Sequence, residues 1–254
     1  MRLVLSIVIL LPALLAGCQQ TNPVDTMTFS QSPATTPVNR PEYKFWVERH
    51  ERFNRIASEG DAELVFVGDS ITQNWERKGK DVWEHYYGHR KAANFGINSD
   101  RTQHVLWRVQ NGNFDGFAPK LIVLLIGTNN QTGAQATAEG VLAIVQEIRR
   151  RTPESKVLML AIFPRGKDAS DANRPDNAKA SEIFSRIADG REVFYLDIGE
   201  VFMNDDGSIS PEVMPDFVHL STKGYQLWAE AIEPTVSRLL GDQPVAPPTS
   251  PACP

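Results

Sequence analysis

Leu121-Ile122-Val123-Leu124-Leu125-Ile126 is apolar at every position and runs straight into Gly127-Thr128-Asn129-Asn130. A strand with one wet face alternates apolar and polar residues. One that is apolar throughout is covered on both faces, as in a parallel sheet clad by helices. Working outward, shorter apolar runs at 63–67, 91–95, 156–162 and 193–197 are further strand candidates. Amphipathic stretches near 43–58, 101–111, 137–151, 174–189 and 222–239 lie between them. In the third, Val141, Ile144, Val145 and Ile148 fall on one helical face. This alternation predicts an α/β fold: a three-layer α/β/α sandwich with a five-stranded parallel sheet over residues 42–241. No internal repeat and no second domain boundary is visible.

In such a sheet, ligands sit outside the carboxyl ends of the strands. The polar clusters fall there. Ser70 closes Leu64-Val65-Phe66-Val67-Gly68-Asp69-Ser70, Asn94 to Asp100 follows the second strand, and Asn129 follows the third. Asp216-Phe217-Val218-His219 precedes the final helix, and His219 is the only one of five histidines in an Asp-x-x-His arrangement. Nucleophilic acyl transfer needs a hydroxyl, an imidazole to take its proton and a carboxylate to orient that imidazole. Ser70, His219 and Asp216 supply those types. The developing oxyanion needs two or three fixed donors, each worth roughly 3 kcal/mol, and the Asn129 carboxamide is one candidate. Taken singly, each has a plainer reading: Ser70 as a helix N-cap, Asn129 as a turn former, Asp216 and His219 as a surface loop. Together they favour a serine esterase.

Composition narrows the alternatives. The 254-residue chain is 41% hydrophobic and 22% charged, with a net charge of −5, so it lacks the basic footprint of a nucleic-acid binder. Its two cysteines, Cys18 and Cys253, lie outside the expected domain, which argues against a disulfide framework or thiolate metal site. His50, His85, His89 and His104 show no metal-ligand spacing, so no metal and no cofactor is expected. Trp75, Trp83, Tyr86 and Tyr87 are open to two readings, an aromatic platform for a sugar or ordinary core; core is the simpler.

The blocks Gly68-Asp69-Ser70, Asn94-Phe95-Gly96-Ile97-Asn98-Ser99-Asp100, Gly127-Thr128-Asn129-Asn130 and Asp216-Phe217-Val218-His219 resemble the SGNH (GDSL) hydrolase superfamily. Asp100-Arg101-Thr102-Gln103-His104-Val105-Leu106-Trp107-Arg108, Asn111-Gly112, Pro164-Arg165-Gly166 and Asn177-Ala178-Lys179 further resemble the catalytic subunits of intracellular platelet-activating factor acetylhydrolases. The resemblance implies a flavodoxin-like fold with Ser70 as nucleophile, His219 as base and Asp216 as its partner. It also implies an oxyanion hole from the Ser70 and Ser99 amides and the Asn129 side chain. Ser99 stands where the family has glycine, and Asn98 where it has another, so the loop must not need a glycine-only conformation. By the same resemblance Ile71, Thr128 and Val218 line a small acyl pocket, although core packing explains Ile71 and Val218 equally well. Gly96 matches a family glycine expected at a turn. The resembling subunits pair, so a homodimer is one expectation.

The termini read differently. Arg2 and the apolar run Leu3–Leu15, closing in Leu15-Ala16-Gly17-Cys18, resemble a bacterial lipoprotein signal over residues 1–18 with Cys18 as the lipidated residue. A plain secretory signal is the alternative. Gln19 resembles the outer-membrane sorting pattern. Residues 19–41 are rich in Thr, Pro, Ser, Asn and Gln and read as a disordered tether, spanning about 26 Å as a coil. Residues 242–254, with five prolines, read as a disordered tail.

The expectation is therefore a membrane-anchored extracytoplasmic esterase that cleaves short, acetyl-type acyl groups through an acyl-enzyme. Its substrate is either an acetylated glycan or a platelet-activating-factor-like phospholipid. Rival readings are an acyltransferase or thioesterase using the same residues, and a non-catalytic binding module on the same scaffold.

Overall fold

The computed structural model describes residues 22–248. The signal, Cys18 and Cys253 lie outside them. The strands are β1 (Leu64–Gly68), β2 (Ala92–Gly96), β3 (Leu121–Leu125), β4 (Lys156–Leu160) and β5 (Val193–Leu196). They form one all-parallel sheet in the order β2-β1-β3-β4-β5. The order turns back between β1 and β3, which opens the crevice where such folds bind ligands. The helices are α1 (Lys44–Glu59), α2 (Ser70–Gln73), α3 (Lys80–Tyr87), α4 (Thr102–Arg108), α5 (Ala134–Arg151), α6 (Arg174–Ser185) and α7 (Thr222–Leu240).

Side chains alternate across the sheet, so each strand feeds two cores. Val65, Val67, Ile122, Leu124, Val157 and Met159 pack against α1, α4, α5 and α6. Leu64, Phe66, Leu121, Val123, Leu158 and Leu160 pack against α3 and α7. Every residue of β1 and β3 is buried, as the unbroken apolar run requires. The α/β/α sandwich stands as expected. The short helix α3 is an addition to the expected elements. It carries Tyr86 and Tyr87, both buried, with the Tyr87 ring against Phe66 and Trp75, and Trp75 in turn against Trp228. Trp83 joins the same cluster, with its ring 5.1 Å from Phe66. Trp75, Tyr86 and Tyr87 are core and not a sugar platform, while Trp83 is half-buried against them.

Both expected disordered segments need correction. Residues 22–41 are no loose tether: Val24 and Ala34 are fully buried. Asn22 Nδ2 donates to the Ile187 carbonyl and the Asp189 carboxylate, each at 2.9 Å. Arg149 grips Asp25 at 2.6 and 2.9 Å. A polar, proline-containing composition hides such a segment, because its few apolar residues bury against the domain and its backbone bonds to side chains of α5. The tail is likewise held over its first part. Asp242 takes hydrogen bonds from Arg90 at 2.8 and 2.9 Å, and the Val245 N–H donates to Glu233 at 2.7 Å. Arg90 and Glu233 form a buried bidentate pair at 2.7 Å on which this end of the chain closes.

Candidate active site

The hydroxyl comes from the β1–α2 junction. Gly68 is needed there for close approach: a Cβ would lie 2.2 Å from Thr72 Oγ1 and 2.3 Å from the Leu125 carbonyl. Gly96 plays the same part on β2, where a Cβ would stand 2.3 Å from the Gln73 N–H nitrogen. It is a packing glycine, not the expected turn glycine. Asp69, and not Ser70, is the N-cap of α2, its Oδ1 accepting from the Ile71 N–H at 2.9 Å. Ser70 is the first helical residue, so its own N–H has no intrahelical acceptor. The capping role is thus taken by its neighbour, which leaves the serine side chain free to point at the imidazole.

Ser70 Oγ and His219 Nε2 are 2.8 Å apart. On the other side of the ring, His219 Nδ1 lies 2.7 Å from Asp216 Oδ2. Asp216 Oδ1 accepts from the backbone N–H groups of Val218 (3.1 Å) and His219 (2.7 Å). This tight turn sets Phe217 at φ 60°, a left-handed conformation that non-glycine residues adopt at some cost. Partial burial works to raise the Asp216 pKa, but the bonds from His219 and Val218 outweigh it and hold the carboxyl below its ordinary range. An ionised Asp216 against Nδ1 fixes the tautomer in which Nε2 faces Ser70 as an acceptor.

The oxyanion candidates lie on two neighbouring loops. Ser99 is exposed, with φ 62°, so this serine does occupy the conformation glycine tolerates best. Asn129 Nδ2 lies 2.9 Å from the Asp100 carbonyl and 3.3 Å from Asp69 Oδ2. The longer of these contacts is the one a developing anion could replace. Burial pushes the Asp69 carboxyl up to about 7, with the Ile71 N–H pulling against it and the nearby Asp100 adding to the rise.

Residues without an assigned role in the motifs brace this loop. Arg108 is fully buried and donates from Nε to Asp100 Oδ2 at 2.9 Å, and from its terminal nitrogens to Asn113, Gly68 and Phe95. Trp46 Nε1 donates to Asp100 Oδ1 at 2.8 Å, and Arg40 donates to the Asn98 carbonyl at 3.0 Å. Asp100 and Arg108 belong to one sequence block, but Asp100 precedes helix α4 and Arg108 ends it, so their contact depends on the loop before the helix folding back and not on helical spacing. Arg40 carried no signal.

Ile71 and Thr128 line one crevice with Asp69, Leu125, Ile126, Ile162 and Phe163. Val218 is not among its walls. A larger cleft of about 530 Å³ opens beside His219 and Asp216, lined also by Asn74, Lys78, Thr222 and Lys223.

The arrangement is a hydroxyl in contact with an oriented imidazole, with amide donors close by. The GDSL-like lipase/acylhydrolase family model matches residues 66–227, from within β1 to within α7. The chain belongs to the GDSL-like lipase/acylhydrolase family. This acylhydrolase is 34% identical over 220 residues to the platelet-activating factor acetylhydrolase IB subunit alpha1 of Bos taurus, covering 84% of this chain and 93% of that one. Among solved structures it is similar in fold to a protein of Streptococcus pneumonia provisionally described as a platelet activating factor. The TM-score is 0.64 at 20% identity, covering 75% and 92% of the two chains. It is also similar in fold to an acetylxylan esterase of Geobacillus stearothermophilus, with TM-score 0.56 at 16% identity over 72% and 97% of the chains. The GDSL-like acylhydrolase is a carboxylic ester hydrolase.

Proposed function

We propose that the enzyme hydrolyses short-chain, acetyl-type esters through Ser70, His219 and Asp216. The observation that carries this reading is the unbroken chain of contacts from Ser70 Oγ through the His219 ring to Asp216, at 2.8 and 2.7 Å. Ser70 Oγ attacks the ester carbonyl carbon and passes its proton to His219 Nε2. The negative charge on the carbonyl oxygen is met by the Ser70 and Ser99 N–H groups and by Asn129 Nδ2. The intermediate collapses as His219 returns the proton to the departing alcohol, leaving acyl-Ser70. Water then attacks the acyl carbon while His219 takes its proton; the bond from that carbon to Ser70 Oγ breaks, His219 returns the proton to Oγ, and the acid leaves.

The tight crevice at Ile71 and Thr128 supports a small acyl group, since a long chain finds no open channel there. The alcohol is either that of a platelet-activating-factor-like phospholipid, after the mammalian relative's name, or a glycan, after the acetylxylan esterase. Cys18 is the lipid attachment point of this reading, which makes the enzyme an extracytoplasmic lipoprotein of a bacterial outer membrane. The test pairs fluorophosphonate labelling with turnover of 4-nitrophenyl acetate and octanoate. Ser70→Ala should abolish labelling and acetate turnover while the fold persists. Retained turnover in that variant refutes the serine assignment, and faster octanoate cleavage refutes the small pocket.

A further inference from the structure

The N-terminal strap runs the length of the domain, and its direction decides which end of the enzyme faces a membrane. Asn22 is bonded to Ile187 and Asp189, in the connection from α6 to β5. That connection lies at the amino-terminal edge of the parallel sheet, opposite the edge that carries Ser70, Ser99 and Asn129. Asp25 pairs there with Arg149, near the end of α5, and Arg149 also reaches Glu192 just ahead of β5 at 2.6 Å. Gln146 Nε2 holds the Val24 and Met27 carbonyls at 2.7 and 3.0 Å. The strap then climbs along α5 towards that helix's beginning. The Ser30 N–H donates to Glu139 at 3.1 Å, and the Ala34 carbonyl accepts from Thr102 Oγ1 at 2.9 Å. At the catalytic edge Arg40 reaches the Asn98 carbonyl, beside Ser99.

Two lengths set the geometry. From Ala134 to Arg149 the helix rises about 23 Å, which separates the catalytic edge from the pinned start of the strap. Three residues stand between Cys18 and Asn22, and a chain of that length spans at most about 14 Å. A lipid on Cys18 therefore cannot be carried up to the catalytic edge.

We infer that the catalytic edge faces away from the membrane that holds the N-terminus, and that the enzyme takes a water-borne ester, free or on a polymer, rather than a phospholipid of its own bilayer. This rests on lipidation of Cys18 as proposed above, and it separates the two alcohols left open there. The ester carbonyl of a bilayer phospholipid lies beneath its headgroups, so an enzyme acting on it must press its catalytic edge into the interface. Here the strap is fixed to the body by an ion pair, buried Val24 and Ala34, and side-chain bonds along α5, so it does not pay out as a tether. Val38, Tyr43 and Phe45, with 44%, 52% and 48% of their surface exposed, stand at the catalytic end where the strap enters α1. They would face the aqueous substrate.

The test uses the full chain, expressed with its signal and purified from bacterial membranes. Intact mass reads the state of Cys18. The protein is then placed in phosphatidylcholine vesicles with a headgroup energy acceptor. In a Cys253→Ser background a donor dye is attached through Arg101→Cys, at the catalytic edge, or through Glu154→Cys, in the α5–β4 connection at the other edge. The Glu154→Cys dye should transfer energy more strongly. A Gly-Ser linker of twenty residues, placed after Gln20, should leave 4-nitrophenyl acetate turnover unchanged and raise cleavage of a vesicle-resident 2-acetyl phospholipid at least tenfold. Transfer from Arg101→Cys equal to or stronger than that from Glu154→Cys, or measurable phospholipid cleavage that the linker does not raise, overturns the orientation while leaving lipidation standing. An unmodified Cys18 overturns the lipoprotein reading and the orientation with it.

Discussion

Asp216 holds His219 at two points, taking the ring Nδ1–H at 2.7 Å on one carboxylate oxygen and the backbone N–H at 2.7 Å on the other. The residue that orients the imidazole therefore also builds the turn that delivers it. Asp216→Asn keeps an acceptor for the turn but can present an N–H to the ring, which favours the wrong tautomer. Acetate-ester kcat should fall about 10⁴-fold for Asp216→Asn. Circular dichroism should remain native. A loss under tenfold would show that another group orients His219.

What the sequence discloses and what it hides divides along physical lines. The strands β1 and β3 are legible because burial on both faces leaves no polar position in them. Ser70, Asn129 and His219 are legible because each directly follows or precedes an element with a strong pattern. Arg40 is not, since the groups it holds on the catalytic loop, the Asn98 carbonyl and the Asp100 carboxylate, lie about sixty residues away in the chain. The strap is misread because disorder is inferred from low hydrophobicity. Val24 and Ala34 are too few to register in composition, yet both are fully buried. Helix α3 is missed because its aromatics, Trp83, Tyr86 and Tyr87, fit a surface platform as well as a core until Phe66 and Trp75 are seen against Trp83 and Tyr87.

Ser99 carries a left-handed backbone with a side chain that pays for it, at about 1 kcal/mol. Ser99→Gly should raise stability slightly or leave it level, with kcat for 4-nitrophenyl acetate within about twofold, because the amide is retained. Ser99→Val should lose more, since a β-branched residue tolerates that conformation poorly. The paired melting curves and kcat values check this. Equal behaviour of the two variants would mean the loop relaxes to another conformation.

Asp69 sets an unusual pH dependence. Its carboxyl is ordinary, near 3.8, in the unfolded chain and is pushed to about 7 by burial in the fold. Between those values the native state keeps a proton that the unfolded chain has lost, so stability falls as pH rises. The contribution is fully present below the unfolded value and is lost as pH passes through about 7. Its full size is up to about 4 kcal/mol. Asp69→Asn removes this titration. Denaturant unfolding of the two proteins from pH 4 to 8 should show the variant gaining on the parent towards high pH. Parallel curves would mean that the Asp69 carboxyl titrates alike in both states.

The strap should prove to be part of the fold. A chain beginning at residue 42 loses the buried Val24 and Ala34 and the partly buried Met27 and Phe29 packed beside them. Exposing the apolar surface they share with α5 costs about 4 kcal/mol. Arg149 also loses Asp25 and is left with Glu192, while Gln146 loses both of its carbonyl acceptors. For a domain of this size the loss corresponds to a melting point lower by about 10 °C. Catalysis should suffer separately, because Arg40 no longer holds the Asn98 carbonyl beside Ser99. Chains beginning at residues 22 and 42 should therefore differ in melting temperature and in kcat for 4-nitrophenyl acetate. In the longer chain Arg40→Ala should reproduce the fall in kcat with little change in melting temperature. Identical melting of the two chains would return residues 22–41 to the role of a passive linker.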